Sequence, residues 1–394
     1  MALVISVYIL FLILTNILPD IGLMPSSIYS LNYLLILFLF FTQISILGVK
    51  KVKIAYCETA LLTYILVRLM FDGGSFISNI LHVRWFVLSV ISVIVIKNIY
   101  FEHVRLKRLI ILMIVVHVPL VVIKIFAGLH GEMTTGLVAH SGSFLFILLV
   151  VFLVRRGLIN TKVQYVNILW ILMILLLTYG SSKRSLIFIL PLFFWITSKT
   201  YPFKLKTVFT YVVLGTMILY IGVRSNPTLN PERSQWGSFD IEYLAEYILW
   251  YESLDTKSEG NQTVGRIATT LRATSIVSEE YKTAIFGLGP GYLSKSFNDR
   301  GAIGDFNDEI EYGLNGYSWV LLQYGFLGVF LYLWYIYKSF IAFKTNRLNV
   351  LSASVFLALF FYAPDIVNIA LIMFLSLVLK LVRRDEQKYF ITYA

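Results

Sequence analysis

The chain has 394 residues, 58% of them hydrophobic and only 14% charged, with a mean hydropathy of +0.79. No water-soluble core hides that much apolar surface, so the composition excludes an ordinary soluble domain and points to a polytopic membrane protein. The formal net charge of +11 lies in short basic clusters between apolar runs, not in one patch, which argues against a nucleic-acid partner and matches positively charged cytoplasmic loops.

The N-terminal stretch MALVISVYILFLILTNILP lacks a basic leader and a small-residue cleavage signal, so it is expected to be a retained first span. Runs of roughly 17–25 apolar residues predict an all-α protein of about twelve transmembrane helices. They fall near 3–19, 28–48, 54–71, 82–98, 109–129, 137–154, 165–180, 185–198, 207–223, 318–338, 349–363 and 366–382. The seventh and eighth spans are short, and only Pro364 and Asp365 part the last two, so either pair fits a broken or re-entrant element and the count ranges from 10 to 14. The single cysteine, Cys57, sits in the third run and allows neither an intrachain disulfide nor a cysteine-based metal site.

Basic clusters occupy alternate connections: Lys50, Lys51 and Lys53; Lys97, Arg105, Lys107 and Arg108; Arg155, Arg156 and Lys162; Lys199, Lys204 and Lys206; Lys338, Lys344 and Arg347; Lys380, Arg383, Arg384 and Lys388. That side is expected to be cytoplasmic and to hold both termini. The chain then divides into an N-terminal bundle of about nine spans (1–223), one long external segment (224–317), and the C-terminal spans and tail (318–394).

Against this trend, Lys183 and Arg184, in TYGSSKRSLIF, fall on the external side of the twelve-span assignment, where they are not topology signals; the plainer alternative is a miscounted span that returns them to the cytoplasmic side. Acids outnumber cations in the external segment, so Arg224, Arg266 and Arg272 stand out there. Planar guanidinium groups suit phosphate or pyrophosphate; snorkelling to headgroups or pairing with neighbouring acids is the plainer alternative for each cation. Within the segment, FDIEYLAEYILWYESL (239–254), with Leu244, Ile248 and Leu249 at helical spacing, and VGRIATTLRATSIVSE (264–279) predict helices. Trp236, Trp250 and Tyr251 fit an interfacial belt. Lys124, inside the fifth span, is expected to face the bundle interior, for function or for pairing. Glu58, Arg68 and Arg84 are candidates for an internal ionic network of structural purpose.

The string GLGPGYLS (287–294) lacks the preceding strand and the Gly-Lys-Ser/Thr ending of a phosphate loop, and reads as a tight turn using Gly287, Gly289 and Gly291. The histidines show no metal-binding spacing and FNDEIEYG lacks the alternation of a calcium loop, so neither metal nor cofactor is called for.

Taken in order, GSSKRSLIFILP after a span, GRIATTLRATSIVSEEYKTAIFGLGPGYLS in the external segment, and LNGYSWVLLQYGFLGVFLY opening a span resemble the bacterial O-antigen polymerase and ligase family. These are integral membrane glycosyltransferases acting on polyprenyl-pyrophosphate-linked glycans. The resemblance in topology covers nearly the whole chain and the motifs about a fifth of it, with specificity coming from their order. It implies a GT-C-like helical fold in a bacterial cytoplasmic (inner) membrane, with the long loop periplasmic or extracellular. The implied partners are a lipid-linked glycan donor and acceptor, membrane lipid and a chain-length regulator. The family's Ser-Arg element falls on residues 182–185 with Arg184, its turn on Gly287, Gly289 and Gly291, and its post-loop element on Asn315 to Gly328. Its pyrophosphate-contacting arginines would match Arg224, Arg266 or Arg272. Many relatives, the ligases above all, carry histidine before the asparagine of the post-loop element; this chain has Leu314, which weakens the ligase reading.

The implied reaction is inverting transfer, in which an acceptor hydroxyl attacks the anomeric carbon of a lipid-linked glycan and polyprenyl pyrophosphate leaves. Such chemistry asks for cations at the leaving group and a base near the hydroxyl. Arg184, Arg266 and Arg272, with Lys183, Arg224, Lys124 and Asn315 as further binding candidates, answer the first need. Asp305, Asp308, Glu309 and Glu311 are candidates for the second, and nothing in their spacing selects one. A flippase or transporter of lipid-linked glycan is the rival class, but the chain shows no internal repeat.

Overall fold

The computed structural model describes residues 29–48, 51–71, 76–119, 143–159, 164–181, 205–226, 229–234, 236–253, 266–290, 314–341, 349–362 and 368–393, with isolated positions at 8, 11, 122, 186, 187, 189, 190, 193 and 292. Every regular element among them is helical, as expected of an all-α chain. In chain order these are α1 (Tyr29–Leu47), α2 (Tyr56–Phe71), α3 (Phe76–Asn98), α4 (His103–Val115), α5 (Ser143–Arg155), α6 (Gln164–Ser181), α7 (Leu205–Ser225), α8 (Ile241–Ser253), α9 (Arg266–Ser278), α10 (Tyr281–Phe286), α11 (Gly316–Ile336), α12 (Asn349–Phe356) and α13 (Ile369–Tyr393). Short π-helical turns extend α11 through Tyr337–Ile341 and α12 through Leu357–Tyr362.

Among the described residues, Gly316–Ile341 is the one helix long and apolar enough to cross a membrane by length and composition; Tyr33–Leu47, Phe144–Arg155, Ile168–Thr178 and Leu351–Tyr362 are shorter apolar stretches. The structure moves several expected boundaries. The expected fifth span starts at 109, but α4 begins at His103 and carries Arg105, Lys107 and Arg108 within the helix. α13 likewise runs past the expected end at 382 through Arg383 and Arg384. Lys and Arg are good helix formers, so a helix outlasts the apolar run that reveals it.

The core forms where α13 lies along α3 and packs on α4 and α5, while α2 packs on both α3 and α11. α5 is apolar on all sides and buried throughout Phe144–Val154. Around Phe86 of α3, the rings of Trp319, Tyr324 and Tyr332 of α11 pack at centroid distances of 5.4, 6.0 and 5.8 Å, fixing α11 against the bundle. Away from this core the faces stay apolar but uncovered: Leu34, Phe38 and Phe41 on α1, Leu169 and Leu172 on α6, and Phe209, Val212 and Met217 on α7 are all exposed.

The expected network of Glu58, Arg68 and Arg84 does not form. Glu58 and Arg68 stand ten residues apart on α2, or about 15 Å along its axis, which puts them at different ends of the helix. Glu58 pairs with Lys97 at 3.3 Å and accepts the Ala55 N–H at 2.7 Å. Arg84 lies over the rings of Tyr33 and Trp85, and Arg68 points to the 287 turn.

Candidate functional site

Both helices expected in the external segment form, within two residues of their anticipated limits, as α8 and α9. On α8, Leu244 is buried against Val223 and Leu229, whereas Ile248 and Leu249 are exposed, so the expected apolar face is only partly covered. α9 lies across the start of α11 and buries Thr269, Ala273 and Val277, residues repeated every four positions along one stripe.

Asn315 ties the two helices. As the N-cap of α11 its side-chain oxygen accepts the Ser318 N–H at 2.8 Å and the Ser318 hydroxyl at 2.9 Å, while its amide donates to Thr270 Oγ1 on α9 at 2.8 Å. Thr274 Oγ1 lies 3.4 Å from the Tyr317 hydroxyl one turn further on. Asn315 and Ser318 are buried, so every bond of this ladder replaces one that water would have made. At the head of α9, Arg266 donates from Nε to the Tyr362 carbonyl at 2.9 Å, and its guanidinium lies 4.4 Å over the Tyr362 ring, which in turn stacks on Phe144.

Beyond the end of α10 the 287–290 segment meets a break in α11. Gly325 takes φ 65° inside the helix, and Gly287 takes φ 75° opposite it. A β-carbon on Gly287 would sit 2.5 Å from the backbone of Gln323, Tyr324 and Gly325, and one on Gly325 would run into the Ile285 carbonyl. Both positions therefore need glycine twice over, for the left-handed backbone and for the close approach. The break frees carbonyls that the helix would have used, and each finds a donor. Leu288 N–H donates to Leu322 O at 2.8 Å, Gly289 N–H to Gln323 O at 3.2 Å, and the Tyr64 hydroxyl of α2 to Tyr324 O at 2.7 Å. Arg68 of α2 reaches the Gly287 carbonyl at 3.4 Å. The turn and the post-loop element are thus one unit, clamped by α2.

The remaining candidates divide. Arg272, six residues and about 120° around the helix from Arg266, does not share its face. Arg272 and Glu279 both act on the hydroxyl of Tyr292, whose pKa burial pushes up, with Glu279 adding to the rise and Arg272 opposing it. Arg224 belongs to another structure: it donates from Nε to Gly237 O at 2.8 Å, from Nη1 to the Tyr220 hydroxyl at 3.0 Å and from Nη2 to Trp236 O at 3.2 Å, closing its own loop. Lys124, Lys183, Arg184, Gly291, Asp305, Asp308, Glu309 and Glu311 lie outside the described residues. The sequence reading missed Tyr64 as a turn ligand and gave Arg68 a different partner. The signal for both was the second glycine pair, Gly325 and Gly328, whose partner segment had to come from elsewhere in the chain.

No family model matches the chain, and no curated protein matches it at a significant level.

Proposed function

We propose that the protein is an integral membrane glycosyltransferase that polymerises polyprenyl-pyrophosphate-linked oligosaccharide repeat units by inverting transfer at the external face of a bacterial cytoplasmic membrane. The observation that carries this reading is that three of the ordered motifs, the arginine-bearing helix, the Gly-x-Gly turn and the Asn-to-Gly span start, pack as one unit on α11. Embedding in a bilayer in about twelve spans is supported by the composition and by the exposed apolar faces of α1, α6 and α7, which are too extensive for a water-facing surface.

In this reading Arg184, Arg266 and Arg272 stabilise charge gathering on the departing pyrophosphate, with Lys183, Lys124, Arg224 and Asn315 in supporting positions. A carboxylate among Asp308, Glu309 and Glu311 takes the acceptor proton. Arg224 has the weakest claim, because its donors serve its own loop. Arg68 joins the set as a cation beside the turn.

Purified full-length protein in liposomes, supplied with two lipid-linked repeat units, decides the reading. A ladder of lengthening glycans with release of polyprenyl pyrophosphate is expected. A single transfer to a lipid-core acceptor would make it a ligase, and movement of glycolipid without a new bond would make it a flippase. One-sided labelling should reach Lys183 and residues 224–317 from outside but not 199–206 or 338–347; labelling of Lys183 only after permeabilisation removes the external site built on Arg184.

A further inference from the structure

We infer that the loop after α7 is a rigid membrane anchor that seats the ring of Trp236 in the headgroup layer of the bilayer. The inference rests on the bilayer embedding proposed above, not on the transfer reaction. α7 turns one continuous stripe outward: Phe209, Val212, Val213, Thr216, Met217 and Tyr220 are exposed at spacings of three and four residues, over about 17 Å of helix. At its end the stripe changes character. One turn beyond Tyr220, the Arg224 guanidinium lies 5.4 Å from the Tyr220 ring and donates to its hydroxyl at 3.0 Å. The same guanidinium donates from Nη2 to the Trp236 carbonyl at 3.2 Å, which brings Trp236 to the polar end of the stripe. Aliphatic side chains that give way to tyrosine, arginine and tryptophan follow the order of a bilayer border, where an amphipathic ring lies between acyl chains and headgroups.

Trp236 stands there in a costly pose. Its φ is 64°, in the left-handed region that disfavours a bulky side chain and that glycine enters freely. The chain does not cover it in return, since Trp236 is 62% exposed. The backbone around it is over-determined. Arg224 Nε donates to the Gly237 carbonyl at 2.8 Å, Gly237 presses so closely on the Asn230 and Glu232 side chains that a β-carbon has no room, and the Glu232 carboxylate accepts the Ser238 N–H at 2.7 Å. A loop tied this way holds a strained residue in one place and keeps its side chain outside the fold. In water that arrangement gains nothing, whereas in the headgroup layer the ring leaves water. A glycan stacked on the ring would leave the α7 stripe bare; the bilayer covers both.

The test uses full-length protein in phosphatidylcholine liposomes, with Cys57→Ser so that single nitroxide labels can be attached after Met217→Cys, Trp236→Cys or Glu246→Cys. Collisions with oxygen, which concentrates in hydrocarbon, are compared with collisions with a water-soluble nickel chelate. Oxygen preference should be greatest at 217, intermediate at 236 and least at 246, an exposed acid on α8. Water-like values at 217 would take the bilayer away from α7, and the embedding falls together with the anchor. Lipid-like values at 217 with equal values at 236 and 246 overturn the anchor alone. In Arg224→Ala the oxygen preference at 236 should drop while that at 217 stays; a full preference retained at 236 overturns the clamp. Because a label replaces the ring, the native side chain is read separately. The emission lost in Trp236→Phe, from one of seven tryptophans, should be quenched by lipids brominated near the headgroup end of the acyl chain and spared by iodide. Quenching by iodide instead places the ring in water and overturns the anchor. Dipolar coupling between 236 labels on two molecules would seat a second copy on the ring, and that also overturns it.

Discussion

Two arginine-bearing regions of the 224–317 segment solve the same problem, an irregular chain with polar groups to satisfy, in opposite ways. The loop at 226–240 satisfies itself. Arg224 closes it with bonds to the Trp236 and Gly237 carbonyls, and the buried Asn230 amide spans the carbonyls of Asn226 at 3.0 Å and Ser234 at 2.9 Å while its oxygen accepts the Ser234 N–H. The 266–290 segment instead rests on distant chain: Asn315 and Ser318 for α9, Tyr362 for Arg266, and Leu322, Gln323 and Arg68 for the turn. A guanidinium spent within fifteen residues of itself serves local folding. One carried to the meeting point of several distant helices is instead fixed by parts that hold each other in place.

The sharpest break in the comparison is at the glycines. Gly287→Ala or Gly325→Ala forces a left-handed alanine into the opposing backbone, and each should cost about 3 kcal/mol or more. Thermal unfolding of the full-length protein in detergent reads this directly. Gly48 also has a positive φ, 76°, but open space around it, so Gly48→Ala pays only the backbone term, about 1 kcal/mol. Equal losses at 48 and 287 would mean that the turn does not press on the broken helix.

Next in size is the contrast between Arg266 and Arg224. If Arg266 contacts the departing pyrophosphate, Arg266→Ala should lower single-turnover transfer by about 30- to 1000-fold, that is ~2–4 kcal/mol, and Arg266→Lys should recover little of it because the planar fork is lost. Arg224→Ala should lower the rate of folded protein far less than Arg266→Ala does, and its main effect should be a loss of stability of about 1–3 kcal/mol through its lost backbone bonds. The reverse pattern would exchange the roles of the two regions. Asn315→Ala and Asn230→Ala follow, each removing a buried amide and costing ~2 kcal/mol. Of the two, the Asn315 change should also weaken transfer, because Asn315 joins α9 to α11 whereas Asn230 bonds within its own loop; hydrogen exchange on the two segments separates the effects.

Much of this contrast is legible in the sequence, and unevenly so. Helices α8 and α9 follow from periodicity, a property of neighbours in the chain, and their limits came within two residues. The Gly-x-Gly turn was visible as a turn, but its partner was not: a left-handed glycine announces a close approach without saying to what, and the 322–325 backbone is more than thirty residues away. Arg224 and Arg266 looked alike for the same reason. Each is a cation in an acidic stretch, and only the packing distinguishes a donor turned inward on its loop from one laid over Tyr362. Charge reading failed most plainly at Glu58, where proximity in type was mistaken for proximity in space; the cation it meets, Lys97, belonged on sequence grounds to a cytoplasmic cluster.

The smallest expected effect tests whether the 226–240 loop really is self-contained. The Glu232 carboxylate accepts the Ser238 N–H at 2.7 Å, and that hydrogen bonding with Ser238 lowers its pKa below the ordinary carboxylate range. A carboxyl depressed in the folded state binds its proton more readily when the loop opens. Its contribution is therefore complete above the unfolded pKa and fades as pH falls through the folded one. The side chain is fully exposed, so solvent screens the effect and it belongs to the loop alone. Hydrogen exchange at the Ser238 amide should accelerate, relative to α9 amides at the same pH, on acidification below the ordinary carboxylate range, and Glu232→Gln should flatten that dependence. The amides of 266–290 should ignore both changes, since no bond of that segment to α11, α2 or Tyr362 runs through Glu232. A parallel response in the two segments would show that the loop and α9 open together, and the division between a locally closed region and one held by distant helices would no longer stand.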